Sequence, residues 1–132
     1  MSSMEVLFEC ELPGKVPSVN SSYFRRKDSR VFMVKEAKEW KQKAINIQRA
    51  LLKDHKNKDV FPLDKTLSVS VELGMTNHKR RDIDNALKAV LDTLQEAGVI
   101  VNDSLIVAIH AIKYFCQQEK TVVRVEYDDL DL

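Results

Sequence analysis

Residues 66–76 read TLSVSVELGMT, and this stretch decides the fold. Apolar side chains occupy every second position from Leu67 to Met75, with polar or small residues between them. Successive side chains of a strand point to opposite faces, so the alternation predicts a β-strand with one buried and one wet face. Such a strand needs other elements packed against its apolar side.

Two helices are predicted on either side of this strand. The downstream helix spans roughly residues 85–97, and Gly98 stands where a C-terminal cap belongs. Its core stripe is Leu87, Val90, Leu91 and Leu94. The upstream helix spans roughly residues 35–54, and its apolar residues are spaced alternately by three and four positions. They are Ala37, Trp40, Ala44, Ile47 and Leu51.

Three further strands complete the predicted fold. Residues 6–12 alternate like a half-buried strand, and residues 121–127 form a last strand. Residues 105–115 are apolar on both faces, as expected of a central strand. Residues 13–33 show no periodicity and are predicted to be irregular. The order β-α-β-α-β-β predicts one α+β domain over residues 1–132, with two main helices packed on one small mixed β-sheet.

Composition excludes several classes of protein. The 132 residues are 44% hydrophobic and 31% charged with three Gly and three Pro, which excludes collagen-like and low-complexity chains. No apolar run approaches the length of a membrane span, and the two cysteines lack metal-site spacing. We therefore expect a soluble, cytoplasmic protein without a membrane partner. Residues 15–43 hold nine Lys/Arg against three acids, a bias that favours a polyanionic partner.

An acidic constellation surrounds the second helix. Asp82 and Asp84 precede it, and Asp103 follows it. A 13-residue helix travels about 20 Å, and five extended residues return about 16 Å, so we expect Asp103 to come back beside the other two. Three converging carboxylates need a cation, and Mg²⁺ prefers such oxygen ligands. Lys88, one turn after Asp84, would then stabilise charge that develops on a phosphate.

A structural role for the same residues remains open. Asp84 is suited to be the N-cap of the helix, and Asp82 to pair with Arg80 or Arg81. Lys88 is suited to an i,i+4 ion pair with Asp84.

Residues 80–107, RRDIDNALKAVLDTLQEAGVIVNDSLIV, resemble the signature of the RusA family of Holliday junction resolvases. Residues 17–26, PSVNSSYFRR, are similar to a second segment of that family. The resemblance implies a homodimeric endonuclease that depends on Mg²⁺, with Mn²⁺ as an alternative ion, and cuts four-way DNA junctions symmetrically. It implies metal-binding and catalytic roles for Asp82, Asp84 and Asp103, and a catalytic role for Lys88.

The predicted DNA contacts are basic and polar residues of two segments, 20–26 and 79–81. They are Asn20, Tyr23, Arg25, Arg26, Lys79, Arg80 and Arg81. Tyr23 lies in a segment that would equally suit a hydrophobic lid or a dimer contact.

The chain departs from the family pattern at one position. Asn102 stands where family members often have a second aspartate before the position of Asp103. This amide keeps open an alternative function, a non-catalytic branched-DNA-binding module with a weakened metal site. A nuclease acting on flaps or other branched DNA is a third interpretation.

A homodimer is also expected from the apolar surface. Residues 105–115 and the stripe from Trp40 to Leu51 supply more apolar area than two helices on a short sheet cover. The sequence does not identify the element that forms the interface, and the basic segment 15–35 is another candidate.

Overall fold

The computed structural model describes residues 5–17, 23–25, 31–76 and 82–128. The two helices are α1 (Lys35–Lys53) and α2 (Ile83–Ala97). The six strands are β1 (Val6–Pro13), β2 (Tyr23–Arg25), β3 (Val31–Met33), β4 (Leu67–Met75), β5 (Ile106–Phe115) and β6 (Lys120–Tyr127). None of the helices in the described ranges is long and apolar enough to cross a membrane.

Four strands form one mixed sheet in the order β1-β6-β4-β5. β6 runs antiparallel to both β1 and β4, whereas β4 and β5 are parallel. Helix α2 is the crossover between the two parallel strands, as such a connection requires. The predicted α+β class and the order β-α-β-α-β-β of the helices and the main sheet are confirmed.

A small antiparallel hairpin, β2–β3, lies where the sequence predicted an irregular segment. Its strands have three residues each, which is too short for an alternating pattern to emerge. Aromatic and β-branched residues at Tyr23, Phe24, Val31 and Phe32 are the only signal for it.

The core lies between the two helices and one face of the sheet. Leu67, Val69 and Val71 of β4 are fully buried there, together with Leu94 of α2. Trp40 of α1 is 8% exposed, as predicted for a core residue. Leu51 was assigned to the same stripe but is 40% exposed, because the buried face of α1 continues through Gln48 and the partly buried Leu52.

Strand β5 lies at an edge of the sheet and not at its centre, so the prediction for residues 105–115 is wrong in this respect. β4 occupies an inner position between β5 and β6. Three large apolar side chains of β5 remain exposed: Ile109 at 47%, Ile112 at 40% and Phe115 at 62%. An apolar pattern on both faces is usual for a buried strand, but here part of that surface stays uncovered.

Candidate active site

The N-terminal end of α2 carries the first two candidate acids. Asp82 is the N-cap residue in an extended conformation (φ −74°, ψ 129°), and its carbonyl accepts the Ala86 N–H at 3.3 Å. The sequence assigned the N-cap to Asp84, which instead lies in the first turn of the helix. Asp82 makes no side-chain cap hydrogen bond, and both side chains are exposed. The partial positive charge of a helix N-terminus stabilises carboxylates placed there.

Asn85 holds one of these carboxylates. Its Nδ2 donates to Asp82 Oδ2 at 3.2 Å, which orients the carboxylate beside the start of the helix. Lys88 is exposed and follows Asp84 by four residues, about 6 Å along the axis. Asp82, Asp84 and Lys88 thus form a charged group on the first two turns of α2. The sequence gives no signal for this contact between Asn85 and Asp82.

The third candidate acid belongs to a different part of the molecule. Asp103 is exposed and begins a 3-10 turn, Asp103–Leu105, that leads directly into β5. Its main-chain N–H donates to Gln95 Oε1 at 3.1 Å. Gln95 lies in the last turn of α2, eleven residues after Asp84, a helical rise of about 16 Å.

The expected return of Asp103 to the start of α2 within one chain is therefore wrong. The chain after Gly98 does not run back along the helix. Instead Ile100 forms a parallel bridge with Leu63, and the Val101 N–H donates to the Leu63 carbonyl at 3.0 Å. Among the described residues, no group of three or more acidic, histidine or cysteine side chains is placed to hold a metal. One chain therefore brings Asp82 and Asp84 together and leaves Asp103 at the other end.

The parallel topology explains this placement. A strand parallel to β4 must start at the same end of the sheet as β4 does, and Ile106 indeed pairs with Leu67. Helix α2 starts beyond the opposite end, where β4 finishes at Met75. Asp103, three residues before Ile106, thus lies at the end of the sheet where α2 finishes.

Asn102 has a structural role. This is the residue at which the chain departs from the family pattern. Its Oδ1 accepts the Ser104 N–H at 2.8 Å and caps the 3-10 turn that carries Asp103. A carboxylate oxygen would accept the same hydrogen bond. The turn thus needs an acceptor at this position but not an amide.

A buried polar contact fixes α2 against α1. Gln48 Nε2 donates to Thr93 Oγ1 at 2.8 Å, and Thr93 Oγ1 donates to the Val90 carbonyl at 2.6 Å. Gln48 and Thr93 are both fully buried. At the edge of the same contact, Lys41 Nζ lies 2.8 Å from Glu96 Oε1. These residues position α2, and the apolar pattern of the sequence gave no signal for them.

Most of the predicted DNA contacts fall outside the described residues: Asn20, Arg26, Lys79, Arg80 and Arg81. For Tyr23 and Arg25 the main chain is described, in β2. Thr76 and Asp82, which flank the basic segment 77–81, both belong to the end of the sheet where α2 begins.

The sheet face opposite the helices is acidic. Arg124 lies at its centre, with Nε 3.2 Å from Glu9 Oε1 and Nη1 3.2 Å from Glu72 Oε1. On the same face Lys120 Nζ lies 3.4 Å from Glu11 Oε1, a contact that raises the pKa of Lys120. The arginine and the lysine of this surface are thus already engaged by glutamates.

Comparison with known proteins assigns this sequence to one family. The family described as Endodeoxyribonuclease RusA matches residues 13–126. A protein of Aquifex aeolicus (strain VF5) named Crossover junction endodeoxyribonuclease RusA is 36% identical over 107 residues, which cover 81% of this chain and 78% of that protein. Proteins of the same name from Escherichia coli (strain K12) and Shigella sonnei (strain Ss046) are each 26% identical over 97 residues, or 74% of this chain and 76% of theirs. The chain belongs to the RusA family of endodeoxyribonucleases.

Proposed function

We propose that this protein is a homodimeric endonuclease that resolves four-way DNA junctions by Mg²⁺-dependent phosphodiester hydrolysis. Membership of the RusA family carries the proposal. Its relatives in Aquifex aeolicus and Escherichia coli are named crossover junction endodeoxyribonucleases. An enzyme with this activity would act in DNA recombination and repair, in the cytoplasm.

The proposed ligands are carboxylates, which suit a hard divalent cation. One chain brings only two of the three carboxylates together. Asp82 and Asp84 offer exposed carboxylate oxygens, which Mg²⁺ prefers and Mn²⁺ also accepts. When bound, such an ion supplies Lewis-acid activation of a phosphate and of water. The third proposed ligand, Asp103, lies at the far end of α2 in the same chain. A site with all three carboxylates therefore requires Asp103 from a second copy.

A two-fold dimer meets this requirement. Each copy would contribute Asp82 and Asp84 to one site and Asp103 to the other, so that both sites form only when the copies associate. Two symmetry-related sites suit a four-way junction, whose resolution needs matched cuts in two strands. Cleavage would therefore depend on the association of two copies.

Lys88 would act on the transferring phosphate. Its ammonium lies on the same two turns of α2 as the two acids and is exposed. A cation at that point stabilises the negative charge that develops on the phosphate oxygens in the transition state. Asn85, by its hydrogen bond to Asp82, would keep one carboxylate in position for metal binding.

DNA would approach from the end of the sheet where α2 begins. Basic residues of segments 25–30 and 79–81 would contact phosphates, which gives affinity without base specificity. The sheet face that lies opposite the helices carries Glu9, Glu11 and Glu72 and would repel the DNA phosphates.

One observation favours a second candidate function. Asn102 stands where members of the family often have an aspartate, and the amide lowers the negative charge available to a metal by one. A protein with a weakened metal site would still bind branched DNA through its basic loops and would act as a non-catalytic binding module.

Cleavage assays distinguish these functions. Synthetic four-way junctions, flaps and linear duplexes are incubated with the protein in Mg²⁺, in Mn²⁺ and with a chelator, beside Asp84→Asn. We expect paired, symmetric cuts in the four-way junction only, abolished by chelator and by Asp84→Asn. Junction binding without cuts under every metal condition would favour the binding module, and equal cutting of flaps would favour a nuclease of broader substrate range.

A further inference from the structure

Within the described strand β5, one charged side chain lies on the helix-facing side. Four residues of this strand are in register with buried residues of β4: Ile109, Ala111, Lys113 and Phe115. Lys113 is exposed, and it pairs with Leu73, which is 2% exposed. A lysine adds nothing to the apolar contacts on this side of the sheet, so its position calls for another explanation.

A small cavity shows where the first turns of α2 lie on the sheet. The residues that line it include Ala86 of α2, Leu73 of β4, Thr121 of β6 and Gly14, which follows β1. Ala86 therefore lies at the level of Leu73 and faces towards β6 and β1. Leu73 is the register partner of Lys113, and adjacent strands are about 4.8 Å apart. Lys113 thus lies at the same level of the sheet, one strand further out.

The candidate site residues of α2 face the side on which Lys113 lies. Strand β5 adjoins β4 on the side away from β6 and β1. Asp84 and Lys88 are each two residues from Ala86, which turns them by about 200° around the helix axis. They therefore point away from β6 and β1, and both are exposed. Asp84, Lys88 and Lys113 thus share the β5 side of the molecule, at the end of the sheet where α2 begins.

We propose that Lys113 is a further DNA-binding residue of the active site, whose ammonium contacts a backbone phosphate beside Asp84 and Lys88. The inference rests on the proposed function, which supplies the polyanionic substrate. Lysine binds phosphate as a compact point charge on a long stem. A phosphate between the two lysines would be held from α2 and from β5 together, which would fix the DNA backbone relative to Asp84.

The position of β5 at the edge of the sheet offers a second explanation for the lysine. Charged side chains that point inward keep edge strands from pairing with other strands. A charge of either sign serves that purpose, whereas a phosphate contact needs a positive charge. Lys113→Glu therefore separates the two roles, because it keeps the edge charged and repels the phosphate.

The salt dependence of junction binding tests the contact. Binding of a synthetic four-way junction is measured in chelator at several salt concentrations, so that cleavage does not interfere. Loss of one phosphate contact makes the slope of log K against log salt shallower by about 0.9. We expect this change in Lys113→Gln and a native slope in Lys113→Arg. Lys58→Gln, at an exposed lysine in the segment that precedes β4, is the matched control and should keep the native slope.

Methylphosphonate substitution identifies the phosphate. One neutral methylphosphonate at a time replaces a phosphate near the branch point, and the affinities of the native protein and of Lys113→Gln are compared. Two groups that contact each other give losses that do not add. We therefore expect one position at which the neutral group weakens native binding and leaves the affinity of Lys113→Gln unchanged. Lys58→Gln should lose affinity at that position as the native protein does.

The outcomes separate this inference from the proposed function. An unchanged slope for Lys113→Gln, in a protein that binds and cuts junctions, would overturn the inference alone. Equal junction affinity of Lys113→Glu and Lys58→Glu would also overturn it and assign Lys113 to protection of the edge. A shallower slope in a protein that binds junctions and cuts none would support the contact and refute the nuclease. Thermal unfolding of each variant should match the native protein, since both lysines are exposed.

Discussion

The main-chain N–H of Asp103 is hydrogen-bonded to the side chain of Gln95 at 3.1 Å. This contact ties the third candidate acid to the last turn of α2, whereas Asp82 and Asp84 lie at the first turn. The hydrogen bond holds the main chain and leaves the Asp103 carboxylate exposed. A single chain therefore presents two separate parts of the proposed site.

Mixing two inactive variants tests whether the parts come from different chains. Asp84→Asn and Asp103→Asn should each abolish junction cleavage when pure. In a mixed dimer, one site would combine both substitutions and the other would keep all three native aspartates. We therefore expect mixing to restore nicking of one strand, measured on a labelled junction.

The control for this experiment is a mixture of Asp82→Asn and Asp84→Asn. These two residues come from the same chain, so both sites of that mixed dimer stay defective and no nicking should return. Restored nicking in the control, or none in the first mixture, would contradict a site shared between two copies.

Replacing Lys88 by Met should reduce cleavage about a hundredfold, because one charge-stabilising group is lost from the transition state. Single-turnover rates on a bound junction measure this effect apart from affinity. Lys38→Met, on the exposed surface of α1, is the matched control and should cut at the native rate. An equal loss in both variants would assign Lys88 only a general electrostatic role.

Asn102→Asp should lower the Mg²⁺ concentration that gives half-maximal cleavage, since a carboxylate adds one negative charge beside Asp103. The turn should survive because the new oxygen still accepts the Ser104 N–H. Asn102→Ala removes that acceptor and should cost about 0.5–1.5 kcal/mol of stability. A Mg²⁺ requirement that Asn102→Asp leaves unchanged would separate this position from the metal site.

Thr93→Val should reduce the free energy of unfolding by about 1–3 kcal/mol, because Gln48 keeps a buried amide without its partner. The double variant Gln48→Leu/Thr93→Val removes both polar groups and should recover most of the loss. Urea unfolding monitored by the fluorescence of Trp40 measures both. A double variant less stable than Thr93→Val would show that the loss comes from packing and not from the hydrogen bond.

The sequence predicted the elements whose apolar pattern is long enough to be periodic. The alternation from Leu67 to Met75 identified β4, the stripe around Trp40 identified α1, and Gly98 marked the end of α2. Gly98 adopts the left-handed conformation (φ 87°) that a C-terminal cap requires. Each of these features depends on residues close together in the sequence, so a single sequence is enough to predict it.

Long-range relationships were predicted less well. The pattern of residues 105–115 indicates burial on both faces, but it does not show which elements would cover those faces or where in the sheet the strand lies. The position of Asp103 was predicted wrongly for a similar reason. The number of residues after Gly98 sets how far the chain can travel but not the direction in which it runs. The β2–β3 hairpin and the Gln48–Thr93 contact were missed because neither produces a periodic signal.

The length of α2 has a consequence for how the chain tolerates insertions. One added residue within a helix turns everything after it by about 100° and shifts it by about 1.5 Å. An insertion inside Ile83–Ala97 would therefore rotate Gln95 away from Asp103, or Thr93 away from Gln48, even though it adds little length. Length changes between Met75 and Asp82 would leave these contacts intact. Helix α2 thus fixes both the distance and the rotation between these contacts, and we expect added or lost residues to be tolerated in the loops around it rather than within it.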